Sequence, residues 1–156
     1  MPPGRADGPA GRPALRGLVN VPIRILVLDD DFRRHDWFDA NIEGHDAVWS
    51  AKEARTALQD NPRYDLVFLD HDLAEDYSVV PAVWGEDGRT VARFIAAMPV
   101  DKRPGMAHIH SSNWGGASEM EAILTAAGVK VARAEFPQGC KDAICAITSP
   151  TRPAAG

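Results

Sequence analysis

The chain has almost no cysteine. Its 156 residues include only Cys140 and Cys145, too few for a disulfide framework and without metal spacing of their own, so two small thiols in a reducing cytoplasm are expected. Long hydrophobic runs are missing too. No stretch approaches the roughly 20 apolar residues that span a bilayer, and the start has no secretory apolar core, so a cytoplasmic protein with no membrane partner is expected. Positive charge is also scarce: 17 Lys and Arg stand against 22 Asp and Glu, for a net charge of −5. Residues 1–22 carry Arg5, Arg12 and Arg16 against Asp7 alone, so the rest of the chain is more acidic still. An acidic body repels phosphate backbones, which argues against tracking along long nucleic acid but leaves room for a local cationic pocket.

An apolar share of 45% with 25% charged residues fits one ordinary domain with a sizeable core. Residues 1–22, dominated by Pro, Gly, Ala and Arg, are too poor in bulky apolar groups to offset the entropy of ordering and read as a flexible tail. Residues 23–149 read as the domain and 150–156 as a flexible C-terminus. From Ile23, "IRILVL" is a short continuous apolar run, the mark of a strand buried on both faces. In the segment that follows, Phe32, Trp37, Phe38 and Ile42 fall at roughly helical spacing. The alternation continues with strands at 45–50, 64–69, 106–111 and 129–136, and helices at 51–60, 88–98, 113–127 and 141–147. Asn61-Pro62, Pro99 and Gly128 supply helix stops.

Five strands alternating with helices predict right-handed βαβ units and an α/β fold: one doubly wound, five-stranded parallel sheet covered on both faces. In such sheets ligands bind beyond the carboxyl ends of the strands, where the strand order reverses. The residues just after each strand therefore test for a site. Strand one ends in Asp29-Asp30-Asp31, strand three in Asp70-His71-Asp72 and strand four in His110-Ser111-Ser112-Asn113. Strand five ends in Phe136-Pro137, which is apolar.

An Asp at a strand-to-helix junction is equally at home as a helix cap. Two acidic clusters at neighbouring strand ends are another matter, because crowded carboxylates raise a pKa or demand a cation. All-carboxylate ligation suits a hard ion such as Mg²⁺ or Mn²⁺. His71 and His110 are candidates for general acid and base, since imidazole titrates near neutrality. His108 and His110, two apart on a strand, share a face and with His71 offer three imidazoles of the kind found in zinc sites. His108 reads better as a core residue. "SSNWGGASEM" adds an anion site: Ser112 or Asn113 caps a helix, and Gly115-Gly116 lets backbone amides approach an incoming phosphate. Arg33 and Arg34 lie within a turn of the acids, where one can fork onto a phosphate. The stretch 73–87 is long for a strand-to-helix connection and reads as a lid, a partner surface or a packed loop.

"RILVLDDD", "DLVFLDHDL", "GEDGRTVARFI" and a strand ending in Ser111 resemble a response-regulator receiver domain, the flavodoxin-like fold with strand order 2-1-3-4-5. The resemblance implies that Asp29, Asp30 and Asp70 hold Mg²⁺, that Asp70 accepts a phosphoryl group, and that Ser111 is the hydroxyl residue after strand four. Receivers end strand five with Lys-Pro, whose lysine contacts the phosphoryl group; Phe136 stands there instead. "DHDL", "HSSN", the "DDD..R" start and "NWGGASEM" are similar to the divergent receivers called cyclic-phosphate-processing receiver domains. That likeness implies metal-dependent processing of a cyclic-phosphate nucleotide or RNA end. It supplies candidate roles for Asp29, Asp30, Asp70, His71, Asp72, His110 and Asn113; joined to the readings above, the expected site has Asp29, Asp30 and Asp70 on the metal, His71, His110, Asp70 and Asp72 in the chemistry, and Ser111, Asn113, Gly115, Gly116 and Arg33 on the phosphate.

Overall fold

A computed structural model describes residues 22–73 and 86–148. Most of the tail, nearly all of the long connection at 73–87 and the C-terminal 150–156 segment lie outside the described residues. The described chain alternates β1 (Ile25–Leu28), α1 (Phe32–Asn41), β2 (Asp46–Val48), α2 (Ala51–Asp60), β3 (Leu66–Leu69), α3 (Gly88–Ala97), a short 3-10 turn (Val100–Lys102), β4 (Met106–Ile109), α4 (Trp114–Ala126), β5 (Lys130–Arg133) and α5 (Gln138–Thr148). The five strands form one sheet in the order β2-β1-β3-β4-β5, and every pairing is parallel.

Strand periodicity sorts the core into two layers. Leu26, Leu28, Val67 and Leu69 point to one face, where Ala54 and Leu58 of α2, Val91 and Ile95 of α3, and Met120 and Leu124 of α4 cover them. Ile25, Val27, Leu66 and Phe68 point to the other, under Phe38 of α1, Ile42 at its C-cap, and Cys140 and Ala143 of α5. With neither face left to solvent, β1 and β3 have to be apolar throughout, and all four residues of each are buried. The register sets Phe68 beside His108, which puts His108 and His110 on the α1/α5 face.

Four helices start on the cap their sequence provides. Asp31, Ser50, Asp87 and Asn113 accept hydrogen bonds from the backbone amides of Arg33, Glu53, Arg89 and Gly116 respectively. Several ends differ from the sequence reading: β2 is shortened to Asp46–Val48 and β3 starts at Leu66. β4 stops at Ile109 and β5 at Arg133, so Ser111 and Phe136 sit past the ladders. α5 begins at Gln138 rather than Lys141, directly after Pro137, because proline suits a helix entrance. Gly139 then packs so closely on Ala134 that any Cβ there would collide with it. No described helix is long and apolar enough to cross a membrane.

Candidate functional site

The strand-order reversal between β1 and β3 brings the two acidic strand ends together. Donor oxygens of Asp29, Asp30 and Asp70 lie within 4.8 Å of one another. Asp29 is fully buried and Asp70 is 2% exposed. Asp31 is not part of this group; it is the α1 cap, held by the Arg33 amide at 2.8 Å.

Arg34 enters the acid cluster one helical turn later. Its Nε lies 2.9 Å from Asp29 Oδ2, and its terminal nitrogen is 3.1 Å from Asp70 Oδ2 and 3.9 Å from Asp30 Oδ1. The guanidinium of Arg33 lies instead over the exposed Phe32 ring, 5.7 Å from its centroid. Sequence reading placed Arg33 on a phosphate; the residue that meets the acids is Arg34, because only the i+4 side of the turn faces back over Asp30.

Asp29 is held from every side. Its carboxylate accepts from the Asp31 amide at 2.9 Å and from His110 Nε2 at 2.7 Å, and its carbonyl accepts from His35 Nε2 at 2.8 Å. Burial alone would push its pKa up, but the His110 and Asp31 hydrogen bonds, with the charges of His110 and Arg34, outweigh it and hold the carboxyl below the usual range. Asp70 goes the other way. Burial, reinforced by the nearby Asp29 and Asp30 charges and only partly countered by His110 and Arg34, pushes it up to about 6. A buried site with three carboxylates, one of them reluctant to ionise, is short of positive charge. Its all-oxygen donor set fits Mg²⁺ or Mn²⁺.

His71 follows Asp70 and is held separately. Its Nδ1 donates to Asp72 Oδ1 at 2.6 Å, and Asn113 Nδ2 donates to the same oxygen at 3.1 Å. The His71 hydrogen bond, against a small burial cost, holds Asp72 below the usual carboxyl range. The other ring nitrogen, Nε2, is buried with no hydrogen-bond partner among the described residues and lies 3.4 Å from Asp87 Oδ2. Arg89 in turn grips Asp87, its Nε 3.0 Å from Oδ2. Asp87 is a member of the site that sequence reading assigned only to the loop; its signal was the N-cap position ahead of α3.

The α4 entrance has the expected Asn113 cap but not the expected open Gly116 amide. Asn113 caps it, its Oδ1 accepting from the Gly116 amide at 3.0 Å, and Ser111 Oγ accepts from the Asn113 amide at 3.1 Å. The Gly116 amide is thus committed to the cap rather than open to a phosphate. Glycine is required there for another reason: a Cβ would overlap the His71 ring. Gly115 is exposed. Alanine is favoured over glycine in a helix by about 1 kcal/mol, yet Gly116→Ala is expected to lower stability by about 1–3 kcal/mol through overpacking. Urea denaturation checks this; a gain in stability would show that the ring has room to move.

The three imidazoles offered as a zinc set do not converge, although His108 and His110 do share a face. Besides the acids, the second group of donor atoms within 4.8 Å of one another among the described residues is His108, His110 and Cys140, without His71. His71 lies beyond β3 and packs on Gly116 of α4, whereas His108 and His110 face α1 and α5. Phe136, standing where receivers place their lysine, packs against Trp37, with ring centroids 5.0 Å apart.

A five-stranded parallel 2-1-3-4-5 sheet with acids at its switch point defines a receiver-like domain. The chain belongs to the cyclic-phosphate processing receiver domain family, whose model matches residues 24–126. Among solved structures it is similar to the receiver domain of the sensor histidine kinase PA1611 from Pseudomonas aeruginosa, which has a magnesium ion coordinated in its active-site cleft. That likeness has a TM-score of 0.57 at 17% identity, over 80% of this chain and 95% of that one. It is also similar to the Legionella pneumophila response regulator LqsR, with a TM-score of 0.46 at 14% identity, over 85% of this chain and 50% of that one. None of the curated proteins matches.

Proposed function

We propose that this domain is a metal-dependent phosphodiesterase that opens a cyclic phosphate, most simply a 2′,3′-cyclic phosphate at an RNA end or on a nucleotide. The observation that carries the reading is the His71 arrangement. An acceptor aspartate needs no neighbouring base, whereas here an imidazole with one nitrogen fixed on Asp72 and the other without a hydrogen bond, 3.4 Å from Asp87, stands directly after Asp70. Membership of a family described by cyclic-phosphate processing supports the same reading.

Asp29, Asp30 and Asp70 would hold Mg²⁺ or Mn²⁺. When bound, that ion supplies positive charge against the phosphoryl oxygens as negative charge builds on them. Asp72 fixes the His71 tautomer, leaving Nε2 to take a proton from the attacking water and return one to the departing ribose oxygen. Ring opening consumes one water, breaks one P–O ester bond and leaves a phosphate monoester with a free hydroxyl. Ser111 and the exposed Gly115 are the groups left to meet phosphate oxygens, since the Asn113 side chain is held by Asp72 and the Gly116 amide and Arg33 lies over Phe32. His110, with its side chain fully buried and one nitrogen on Asp29, is assigned to positioning Asp29.

Turnover of 2′,3′-cyclic nucleotides and of RNA oligomers bearing that end is the test, in Mg²⁺ and in Mn²⁺. His71→Ala is expected to lower kcat by about 10²–10⁴. No hydrolysis of either substrate in either metal would sink the reading. The second reading is a phospho-accepting receiver, favoured by Asp70 and Ser111 standing at the ends of adjacent strands. It predicts a stable beryllium fluoride adduct on Asp70 and no turnover.

A further inference from the structure

We propose that His108, His110 and Cys140 form a second, buried cation site, for a thiophilic ion of the Zn²⁺ kind, behind the acid pocket. It does not depend on the phosphodiesterase reading. Cys140 lies outside the residues matched by the family model.

The observations are of two independent kinds. One is convergence: β4, the residue just past its end, and α5 bring two imidazole nitrogens and a thiol sulfur within 4.8 Å of one another. The other is an unmet polar demand. His108 is 1% exposed, His110 3% and Cys140 fully buried. Both ring nitrogens of His108 and the Nδ1 of His110 have no hydrogen-bond partner among the described residues. A buried nitrogen without a partner is costly, and native proteins supply partners for the great majority of such groups.

The surroundings make hydrogen-bonding protein partners scarce. His108 lies 5.3 Å from Phe68 between ring centroids, while His110 lies 5.8 Å from Phe38 and 6.4 Å from Phe136. A sulfur among the three donors is a weak hydrogen-bond partner but a strong ligand for a soft or borderline ion. Two imidazoles and one thiolate, with a water in the fourth position, suit tetrahedral Zn²⁺. The all-oxygen pocket on the other side of Asp29 suits Mg²⁺ or Mn²⁺, so the two sites differ in donor chemistry.

His110 is also prepared as a ligand. Its Nε2 donates to the Asp29 carboxylate, which leaves the Nδ1 lone pair for an ion, in the carboxylate–histidine–metal arrangement that fixes a ligand's tautomer and raises its basicity. Burial lowers His108 to about 4, so that ring is neutral and has a lone pair. Burial raises Cys140 to about 12, so the metal-free thiol keeps its proton. Binding then forms one Zn–S bond and two Zn–N bonds and releases the single thiol proton. Because the ligands are buried, the ion enters as the chain folds.

The test uses the full chain folded with zinc or cobalt present, then freed of loosely held metal by a chelator. The wild type is expected to retain about one ion per chain, and Cys140→Ser and His108→Leu to hold it roughly tenfold or more weakly. Cobalt separates the two cation sites: only a sulfur ligand gives a thiolate-to-metal charge-transfer band in the near ultraviolet, and the acid pocket has none to give. In Cys145→Ser the sole remaining thiol is Cys140, so the band in that variant assigns the ligand even if Cys140→Ser fails to fold. A wild type without retained zinc, or a cobalt form without the sulfur band, overturns the proposal. So does full retention in a folded Cys140→Ser.

Discussion

Asp70→Asn is expected to make the metal-free protein more stable at pH 7 and to abolish its stabilisation by Mg²⁺. Asp70 is 2% exposed, and burial with two neighbouring acids raises it to about 6 from an ordinary 3.8. An acid whose pKa is raised by folding favours the folded state while it is protonated. That contribution is fully present below the unfolded value and is lost as pH rises through the folded one. Between about pH 4 and pH 6 the wild type in chelator therefore loses up to roughly 3 kcal/mol through this single group, at 1.36 kcal/mol per unit. Asparagine has nothing to ionise. Urea denaturation of both proteins in EDTA at pH 4.5 and pH 7 gives a double difference in which all other titrating groups largely cancel. The variant is expected to gain on the wild type by about 1–3 kcal/mol across that window. Excess Mg²⁺ should reverse the order, since an ion at 100 times its Kd adds about 2.7 kcal/mol to the protein that binds it. Equal slopes with pH would mean that Asp70 is not held in a charge-poor pocket.

Arg34→Ala is the complementary change. The guanidinium contacts Asp29 and Asp70, two nearly dry carboxylates, at 2.9 and 3.1 Å. Removing the partner of buried charges costs on the order of 3 kcal/mol. In chelator the variant is expected to be less stable by about that amount. Divalent metal should then restore most of the loss, because the ion enters where the guanidinium was, and its apparent affinity should exceed that of the wild type, whose arginine competes. Thermal melts across a Mg²⁺ titration measure both quantities. A loss that Mg²⁺ leaves untouched would make Arg34 a structural clamp with no bearing on a cation site.

The sheet was legible in the chain because its physics is local. Runs such as "ILVL" and "LVFL" have to be buried on both faces, and alternation with helices leaves few topologies. The two acidic ends were legible for the same reason: charges directly after such runs have nowhere to go but the switch point. What was hidden depended on rotation and on distant contact. Arg33 and Arg34 are adjacent in sequence, and only the position of α1 over the sheet decides which one meets Asp70. Gly116 reads as an open phosphate loop until α4 is packed on His71. The convergence of Cys140 with His108 and His110 could not be seen from its own neighbourhood, because those residues lie on β4 and just past its end, and α5 had first to be placed beneath them.

The central claim is that Asp29, Asp30 and Asp70 share one divalent cation. Paramagnetic Mn²⁺ titrated into isotope-labelled protein tests it most directly through the loss of amide signals. Saturable broadening centred on residues 29–31, 70–71 and 110–111, displaced by excess Mg²⁺ and absent in Asp30→Asn, is expected. Amides at those three strand ends that stay sharp at saturating Mn²⁺, or broadening scattered over the acidic surface without saturation, would contradict it.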